Sequence, residues 1–354
     1  MTNPAIGFDC RYINPDSLDG IGRFTIELFG ATSKKLDITA IISDPRQLEF
    51  LPSGTKYVRL NSPTSMLEPL ASLRLNAHKF ETVYSPMQTI GSIGKKFRLI
   101  LTIHDLIYYS HPKPPNNFNP LIRLGWWLYH KSFIPQRVLL NAADEVVTIS
   151  NSTKKLITEN KLTKKRITVV SNAAKQLTVK PLPVEKKIVY MGSFMPYKNV
   201  EELIYGASQL NGFRLVLLSR IGQSDRLRLE SLAARVGVAI DFEDGVTDEE
   251  YALHLSSATA LVHASSEEGF GIPVIEAMSL GCPVVCSDIP IFREIAGEAG
   301  LFFGIGDHKQ FAQQVEYAAA HRSQMHASLK GQANLFSWEK SADALAELIT
   351  ASKR

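Results

Sequence analysis

The chain has 354 residues, of which 45% are hydrophobic and 21% are charged, an ordinary composition for a globular protein. This length predicts two domains, each large enough for its own hydrophobic core. The N-terminus lacks a basic segment followed by a long apolar one, and no run of about 18 apolar residues occurs, so we expect neither a signal peptide nor a membrane-spanning helix. Cys10, Cys282 and Cys286 have no metal-type spacing with histidines, which favours a reduced cytoplasmic setting. Cys282 and Cys286 share one face of a predicted buried strand and are expected to be small core residues.

The net charge of +4 is divided unevenly along the chain. Residues 1–180 contain 24 Lys or Arg and 13 Asp or Glu, a net charge of +11, whereas the remaining residues contain 15 and 22, a net charge of −7. Two domains with different solvated surfaces would explain this. The alternative is that the first half contacts an anionic membrane surface or a phosphorylated acceptor. Nucleic acid is not expected as a partner, because the basic residues are scattered and no nucleic-acid-binding motif occurs.

Apolar runs rich in Val, Ile and Leu alternate with longer amphipathic stretches throughout. The predicted strands are 5–9, 38–43, 82–84, 98–103, 145–149 and 167–170, followed by 187–191, 213–218, 238–242, 260–264, 283–287 and 300–303. Strands that alternate with helices predict parallel sheets covered on both faces. The sequence therefore predicts an α/β protein with two Rossmann-like domains, 1–180 and 184–334, an active site in the cleft between them, and a C-terminal helix in 335–354 capped by Ser337.

The first candidate motif follows strand 5–9 and contains Gly20 and Gly22 ahead of a helix that begins near Thr25. A glycine loop that opens a helix is a potential phosphate cradle. It is not a complete dinucleotide fingerprint, because Thr25 stands where a third glycine is needed. A tight turn with no ligand is the alternative.

His104 and Asp105 come directly after the predicted strand 98–103, where ligand contacts are expected in this fold class. The alternative is that this histidine simply forms a hydrogen bond with a backbone group and contacts no ligand. Asp105 is expected to orient or cap the following segment rather than to act as a base.

Aromatic and basic residues are mixed in a later helical stretch, with Trp126, Trp127 and Tyr129 close to Lys131 and Arg137. Such a helix can lie at a membrane interface. Packing of the aromatic rings into the protein is the favoured alternative.

A glycine turn also follows strand 187–191, in the order Gly192, Ser193, then Lys198 and Asn199. Lys198 beside this turn is well placed to hold a diphosphate as a point charge, and Asn199 is a plausible N-cap of the next helix. An ordinary surface lysine is the alternative. No Asp-x-Asp motif occurs, and the acidic segment 241–244 is interpreted as a solvated turn, so we expect a site without a metal.

The most informative segment, SEEGFGIPVIEAMSLGCPVVCS, spans residues 266–287. It predicts a glycine loop, a helix with Pro273 in its first turn, and a strand after the stop at Gly281. The helix start offers free N–H groups and partial positive charge for a phosphate. Two carboxylates, Glu268 and Glu276, can accept hydrogen bonds from hydroxyls. The segment therefore favours a sugar nucleotide as ligand.

Together these features resemble the retaining family 4 glycosyltransferases, which have the GT-B fold. The resemblance covers nearly the whole chain and is strongest between Glu268 and Glu276, two glutamates separated by seven residues that include GFGIP. The flanking EAMSLGCPVV and Glu294 before Ile295 also match, as do the N-terminal glycine loop, His104-Asp105 and the closing FSWE.

The resemblance implies roles for these residues. Glu268 would contact donor sugar hydroxyls, Glu276 would bind the ribose hydroxyls, and Lys198 would bind the donor diphosphate. His104 would contact the sugar near its 6-position and the reaction centre, and Gly22 would border the phosphates. The backbone N–H groups that assist Glu268 would belong to Gly269, Phe270, Gly271 and Ile272.

The resemblance also implies transfer with retention and without a metal, in which a leaving phosphate oxygen takes the acceptor proton. The C-terminal helix would cross back onto the N-terminal domain. One departure concerns the diphosphate site, because Ser193 and Tyr197 stand where the family frequently has arginine. Lys198, or Arg220 after the next strand, would then carry more of the neutralising charge.

Three functions remain open at this stage. The first is a cytoplasmic hexosyltransferase of bacterial polysaccharide assembly, peripheral on the inner face of the plasma membrane or free of it, with a glycan or lipid-linked acceptor. Its donor would be a UDP-sugar, UDP-glucose before others, with GDP-mannose as the second choice. The second is a nucleotide-sugar-binding protein without transfer activity. The third, a Rossmann oxidoreductase, is disfavoured by the missing third glycine.

Overall fold

The computed structural model describes residues 5–112, 120–175 and 177–351, without the side chains of residues 121 and 122. The chain divides into two compact units. Unit 1 runs to Asn172 and includes the chain again from Ser337, whereas unit 2 runs from Ala173 to Phe336.

Unit 1 is built on one parallel sheet of seven strands, in the order β3-β2-β1-β4-β5-β6-β7. Strand order reverses between β1 and β4, which is the switch point where ligands bind in open α/β sheets. The strands are β1 Ile6–Asp9, β2 Ile38–Ile42, β3 Tyr57–Arg59, β4 Thr82–Ser85, β5 Arg98–Ile103, β6 Glu145–Thr148 and β7 Ile167–Val169.

Unit 2 repeats this design with six parallel strands, in the order β10-β9-β8-β11-β12-β13. Its switch point lies between β8 and β11. The strands are β8 Lys187–Tyr190, β9 Arg214–Leu217, β10 Ala239–Phe242, β11 Ala260–His263, β12 Val284–Ser287 and β13 Leu301–Phe303.

Helices connect the strands and cover the sheets. In unit 1 they are α1 Gly20–Ser33, α2 Ala71–Leu75, α3 Ile107–Ser110, α4 Pro120–His130, α5 Ile134–Ala142 and α6 Asn151–Glu159. In unit 2 they are α7 Val200–Ala207, α8 Gln223–Val236, α9 Asp248–Ser257, α10 Ile272–Ser279, α11 Pro290–Ala296 and α12 His308–Ala333. The final helix, α13 Trp338–Thr350, belongs to unit 1.

The predicted α/β class with two Rossmann-like sheets is confirmed, and each of the twelve predicted strands is present within one residue of its predicted ends. The sequence missed β3. This strand has three residues at the sheet edge, and Tyr57 is 51% exposed, so it carries no buried apolar run. Edge strands of this kind lack the pattern on which strand prediction depends.

Helix α13 packs against α1, with the Phe24 and Trp338 rings 5.7 Å apart. Its N-terminus has the predicted cap, because the Ser337 side chain accepts from the backbone N–H of Lys340. At the other end Arg98 donates to the carbonyl oxygens of Leu348 and Ile349, which the end of a helix leaves without intrahelical partners.

The three cysteines are all buried thiols, as predicted for Cys282 and Cys286. Burial raises the pKa of Cys10, Cys282 and Cys286 above that of a free thiol. These residues therefore act as small core side chains.

Candidate functional site

Two connections meet at the switch point of unit 2. We call residues 192–199 the β8 turn and residues 264–271 the β11 loop, because they follow these two neighbouring strands. Both leave the carboxyl edge of the sheet, where ligands bind in this architecture.

Direct hydrogen bonds join the β8 turn to the β11 loop. The N–H of Ser266 donates to the carbonyl oxygen of Tyr197 at 2.8 Å. Asn199 Nδ2 donates to the carbonyl oxygen of Ala264 at 3.1 Å. Asn199 holds the N-cap position of α7 in the left-handed region, with φ of 48°, and its side chain does not cap the helix. The predicted capping role of Asn199 was therefore wrong, because its amide is used to join the two connections.

Lys198 and Glu268, predicted as separate ligand contacts, form an ion pair. Lys198 Nζ donates to Glu268 Oε2, and only 10% of the lysine side chain and 16% of the glutamate side chain are exposed. Ser265 Oγ also lies 3.4 Å from Glu268 Oε2. The pair places a cation and an anion together at the switch point, partly shielded from water.

The first part of the β8 turn is held by Tyr190, a residue that the sequence analysis did not single out. Its hydroxyl donates to the carbonyl oxygen of Ser193 at 2.6 Å. A Cβ atom on Gly192 would lie 2.7 Å from this hydroxyl oxygen, so the turn needs glycine there. Ser193 itself is exposed. Arg220, the predicted substitute cation, is also exposed and packs against Gly245.

The β11 loop ends in Gly271, which has φ of +93°. A Cβ atom there would also lie 3.0 Å from the Phe292 ring. Helix α10 then begins with Pro273 in its first turn, as predicted, and Gly281 follows its end with φ of +72°. Gly269 and Phe270 are buried, and Glu276 is 7% exposed inside α10. A glutamate this deeply buried requires polar partners.

His263, the last residue of β11, is a buried polar group that the sequence analysis missed. It is 1% exposed, and neither ring nitrogen has a hydrogen-bond partner among the described residues. Its ring lies 5.2 Å from that of Tyr190 and 5.8 Å from that of Phe292. Burial, together with the positive charge of Lys198, lowers the pKa of His263 to about 3. It is therefore a neutral ring close to the ion pair.

The site residues predicted in unit 1 also lie near one another. His104 follows β5, and its Nε2 lies 2.7 Å from the carbonyl oxygen of Pro86. A carbonyl can only accept, so this nitrogen carries the proton. The Phe24 ring packs 4.9 Å from the imidazole ring. Burial lowers the pKa of His104, against opposite effects of the Pro86 bond and the charge of Asp19. As predicted, Asp105 orients the next segment, because it accepts from the N–H of Ile107.

The glycine motif before Phe24 differs from the prediction. Helix α1 begins at Gly20 rather than near Thr25, so both glycines lie in its first turn. Asp19 caps this helix, and its Oδ1 accepts from the N–H of Gly22 at 2.7 Å. A phosphate cradle made from the Gly22 amide is thus already occupied by a carboxylate. A phosphate would have to displace Asp19 or contact other atoms.

A second polar cluster occupies the end of β1 and was not predicted. The Arg11 guanidinium lies between two carboxylates, with Nε 2.8 Å from Asp9 Oδ1 and Nη1 2.8 Å from Glu68 Oε2. Asp9 is fully buried and also accepts from Ser85 Oγ on β4. The signal available in the sequence was Asp9 at the end of an otherwise apolar strand. These ion pairs and this hydrogen bond hold the end of β1 beside β4, at the switch point of unit 1.

The aromatic residues of α4 pack inward, the alternative favoured from the sequence. The Trp126 ring lies 3.9 Å from that of His130, and Tyr129 Oη donates to Gln136 Oε1 at 2.9 Å. The exposed apolar residues of α4 and α5 are aliphatic instead, namely Leu124, Leu128, Ile134 and Val138.

Comparison with known proteins identifies the class. A family model described as "Glycosyl transferases group 1" matches residues 157–335, and the chain belongs to this family. It is a glycosyltransferase. The O-antigen chain mannosyltransferase RfbU of Salmonella typhimurium is 24% identical over 311 residues, covering 84% of this chain and 86% of that protein. The O-antigen chain mannosyltransferase B of Escherichia coli is 27% identical over 261 residues, covering 68% and 67%.

Solved structures share the fold across the whole chain. Sucrose-phosphate synthase from Thermosynechococcus elongatus has a TM-score of 0.73 at 18% identity, covering 98% of both chains. Anabaena HepE in complex with UDP and glucose has a TM-score of 0.68 at 17% identity, covering 99% of this chain and 100% of that one. The architecture is thus the GT-B type. In the part of the chain that the structure describes, no helix is both long and apolar enough to cross a membrane.

Proposed function

We propose that this glycosyltransferase moves a hexose from a nucleotide-diphosphate sugar to a lipid-linked or oligosaccharide acceptor in bacterial polysaccharide biosynthesis. Transfer retains the anomeric configuration and requires no metal. The observation that carries this proposal is the Lys198–Glu268 ion pair at the switch point of unit 2. It offers one group for an anion and one for hydroxyls, and a sugar nucleotide presents both.

The diphosphate would be held by Lys198 and by the start of α10. A free diphosphate carries more negative charge than one carboxylate, so it competes with Glu268 for the ammonium group. The first turn of a helix has N–H groups without intrahelical partners and partial positive charge. These amides are those of Gly271, at the end of the β11 loop, and of Ile272, the first residue of α10. Ser193, exposed on the β8 turn, adds a neutral hydroxyl where a second cation would give stronger binding.

The sugar and ribose would be held by the two glutamates. Once a phosphate takes Lys198, Glu268 is free to accept hydrogen bonds from sugar hydroxyls. Glu276, about one turn into α10, would accept from the ribose hydroxyls. His104 would contact the sugar near its 6-position. Because its Nε2–H is already used by Pro86, it would present Nδ1 as an acceptor.

The reaction needs little from protein acids and bases. The bond between the anomeric carbon and the leaving phosphate oxygen breaks, and a bond to the acceptor oxygen forms on the same face. The leaving phosphate oxygen takes the acceptor proton. Lys198 and the α10 amides stabilise the charge that develops on this phosphate. A neutral His104 suits this scheme because it adds no competing charge.

Mannose is our first choice for the transferred sugar. The two relatives described above, which cover 84% and 68% of this chain, are named as mannosyltransferases. We therefore place GDP-mannose, the second choice from the sequence, ahead of UDP-glucose. The same two names refer to O-antigen chains, which supports a growing glycan as acceptor.

We also propose that unit 1 contacts an anionic membrane on the cytoplasmic side. We call the exposed parts of α4, α5, α6 and the turn before β7 the basic face. Arg137 joins α5 to the end of α6, because Nη2 donates to the carbonyl oxygen of Asn160 at 2.9 Å. Exposed aliphatic side chains occur here beside basic ones, which include Lys131, Lys154, Lys155, Lys161, Lys164 and Arg166. This mixture suits an acidic lipid surface that receives a lipid-linked acceptor.

Calorimetric titration of the metal-free protein tests the donor assignment. GDP, UDP and ADP are titrated first, followed by GDP-mannose and UDP-glucose. Selective binding of GDP and GDP-mannose supports the first choice, and selective binding of the uridine compounds restores UDP-glucose. Binding without turnover on any lipid-linked or oligosaccharide acceptor would favour the sugar-nucleotide-binding protein. Failure of all five ligands to bind would contradict the proposal.

A further inference from the structure

Tyr251 is a buried phenol beside the proposed ribose site. It lies in the first turn of α9, and the start of this helix is fixed by a reciprocal cap. Thr247 Oγ1 accepts from the N–H of Glu250 at 3.2 Å, while Thr247 N–H donates to Glu250 Oε2 at 2.7 Å. The cap fixes the first turn, so Tyr251 has little freedom to move as a whole.

The hydroxyl group of Tyr251 has an unusual environment. The residue is 3% exposed, and its Oη has no partner of ordinary hydrogen-bond geometry among the described residues. A buried hydroxyl without a good partner is unfavourable, and phenylalanine would fill nearly the same space without this cost. The position therefore retains a polar atom that packing alone does not explain.

Among the neighbouring side chains, the carboxylate of Glu276 has the largest electrostatic effect on this hydroxyl. Burial raises the pKa of Tyr251, and the charge of Glu276 raises it further. Glu276 is itself 7% exposed within α10. The Tyr251 hydroxyl and the Glu276 carboxylate are thus both buried and interact electrostatically. A phenol and a carboxylate in such surroundings can form a strong hydrogen bond after a side-chain rotation.

We propose that Tyr251 is a positioning residue for nucleotide recognition, which donates its hydroxyl hydrogen bond to Glu276 when this carboxylate engages the ribose. The inference rests on the proposed ribose role of Glu276. Glu276 would then accept from Tyr251 and from the ribose 2′- and 3′-hydroxyls. The phenol would set the rotamer of the carboxylate and hold it in the ionised form, so that selectivity for ribose depends on a residue that does not touch it.

The test is a comparison of ribose and deoxyribose ligands. Binding of GDP, UDP and their 2′,3′-dideoxy analogues is measured for the full chain, for Tyr251→Phe, for Glu276→Gln and for the double variant. We expect Glu276→Gln to remove the preference for ribose. We expect Tyr251→Phe to reduce it about tenfold, the usual effect of losing a hydrogen bond to a charged group. In the Glu276→Gln background, Tyr251→Phe should have no further effect on the preference.

Two results would overturn the inference, and they differ from failure of the donor site. If Glu276→Gln abolishes the ribose preference while Tyr251→Phe leaves it unchanged, Tyr251 is only a core residue and the ribose role of Glu276 stands. If Glu276→Gln leaves the preference unchanged, the ribose role itself is wrong. Thermal unfolding of Tyr251→Phe is the folding control. A purely structural tyrosine would change the melting temperature and leave the ratio of ribose to dideoxyribose affinity unaltered.

Discussion

The ammonium group of Lys198 and the carboxylate of Glu268 form a shielded ion pair that joins the connections after β8 and β11. Each group is thereby occupied in the free protein by the other. A ligand that binds one of them must break the pair, and the energetic result depends on what it offers both. In the proposed donor complex a sugar nucleotide would offer a diphosphate to Lys198 and hydroxyls to Glu268, whereas a nucleoside diphosphate without sugar would leave the carboxylate uncompensated.

Substitutions of Lys198 and of Glu268 should therefore have opposite effects on the affinity for a nucleoside diphosphate. Lys198→Ala should weaken binding of GDP or UDP about 10- to 100-fold and nucleoside binding much less, since only the diphosphate contacts the charge. Glu268→Gln should bind the nucleoside diphosphate as tightly as the parent protein or more tightly, because the competing carboxylate is gone, while transfer falls at least about 100-fold. Calorimetry and a transfer assay provide both readouts.

The exposed Lys330 in the last turn of α12 is the matched control. Lys330→Ala removes the same charge from unit 2 far along the chain from the ion pair, and it should change neither affinity nor transfer. Equal losses of nucleoside and nucleoside diphosphate binding in Lys198→Ala would contradict the diphosphate role. Full transfer activity in Glu268→Gln would contradict the sugar role of Glu268.

His104 should affect the sugar and not the nucleotide. Its Nε2–H is bonded to Pro86, so loss of the ring would remove the Nδ1 acceptor that we propose for the sugar, together with the contact with Phe24. His104→Ala should lower kcat by about 10- to 100-fold and leave GDP or UDP affinity within about twofold. The lowered pKa also keeps the ring neutral at pH 7, so the rate should show no loss from His104 protonation as the pH falls from 8 to 7.

His78, an exposed histidine of unit 1, serves as the control for this experiment. His78→Ala should retain the parent kcat. A parallel loss of GDP and UDP affinity in His104→Ala would assign the residue to the nucleotide instead of the sugar.

The interior strands could be predicted because a strand that is buried on both faces of the sheet requires a continuous run of apolar residues. β5 and β8, for example, are buried at every residue, and their ends were predicted to within one residue. β3 could not be predicted, because its pairing with β2 is a property of the edge and its side chains are largely exposed. Local sequence carries no signal for a strand that only backbone bonds define.

The sequence points to Lys198, Glu268 and His104 as candidate site residues because each lies in a connection that follows a strand, and their ligand roles stay predictions. Their partners could not be predicted, because these lie far away in the chain. Asn199 was predicted to cap α7 and instead bonds Ala264, 65 residues later. The Gly22 amide was expected to be available to a phosphate, yet Asp19 already caps it. In both cases the three-dimensional arrangement of the polar groups, and not the local sequence, decides which hydrogen bonds form.

Acid should destabilise the protein through His263. The folded state keeps this ring neutral to about pH 3, whereas the unfolded chain takes up a proton near pH 6.5. Below pH 6.5 the unfolded state binds more protons, so the free energy of unfolding falls as the pH decreases, by up to about 1.4 kcal/mol per pH unit. This contribution is fully present above about pH 7 and is lost on acidification.

His263→Phe removes this titration and keeps a ring between Tyr190 and Phe292. The free energy of unfolding is measured with urea at pH 7.5 and pH 5. The value for the variant minus that for the parent should be about 1 to 2 kcal/mol higher at pH 5 than at pH 7.5. The exposed His78→Ala substitution should produce no such gain. An equal difference between parent and His263→Phe at both pH values would show that the buried imidazole is not held neutral.

The start of α10 depends on the backbone of Gly271. With φ of +93° and the Phe292 ring 3.0 Å from the position of a Cβ atom, Gly271→Ala should reduce the free energy of unfolding by about 1 to 2 kcal/mol or more. Gly331→Ala in α12 is the opposite control, because its Cβ would meet no atom within 4 Å and alanine favours the helix by about 1 kcal/mol. Denaturant unfolding measures both changes. A Gly271→Ala variant as stable as the parent would mean that the β11 loop has another accessible conformation, and nucleotide affinity would then report whether the anion site survives it.

Binding to acidic lipid should depend on the basic face of unit 1 and should combine two contributions. Co-sedimentation with vesicles of phosphatidylcholine and phosphatidylglycerol should be strong at low salt and much weaker at about 1 M salt, where charge interactions are screened. Lys155→Glu with Lys164→Glu should reduce it sharply, since each basic residue near the surface contributes about 1 kcal/mol. Leu128→Ser with Val138→Ser should remove the part that survives high salt, because these side chains are 55% and 66% exposed and apolar.

The control for charge alone is a pair of exposed lysines on unit 2. Lys309→Glu with Lys330→Glu changes the net charge by the same amount as Lys155→Glu with Lys164→Glu, and both control residues lie on α12. A local lipid surface predicts that only the unit 1 pair weakens sedimentation. Equal weakening by both pairs would mean that the total charge of the protein attracts it to the vesicles. No binding of the parent protein at low salt would leave the excess positive charge of the first half as ordinary solvated surface, and the acceptor would then have to reach the enzyme without help from the membrane.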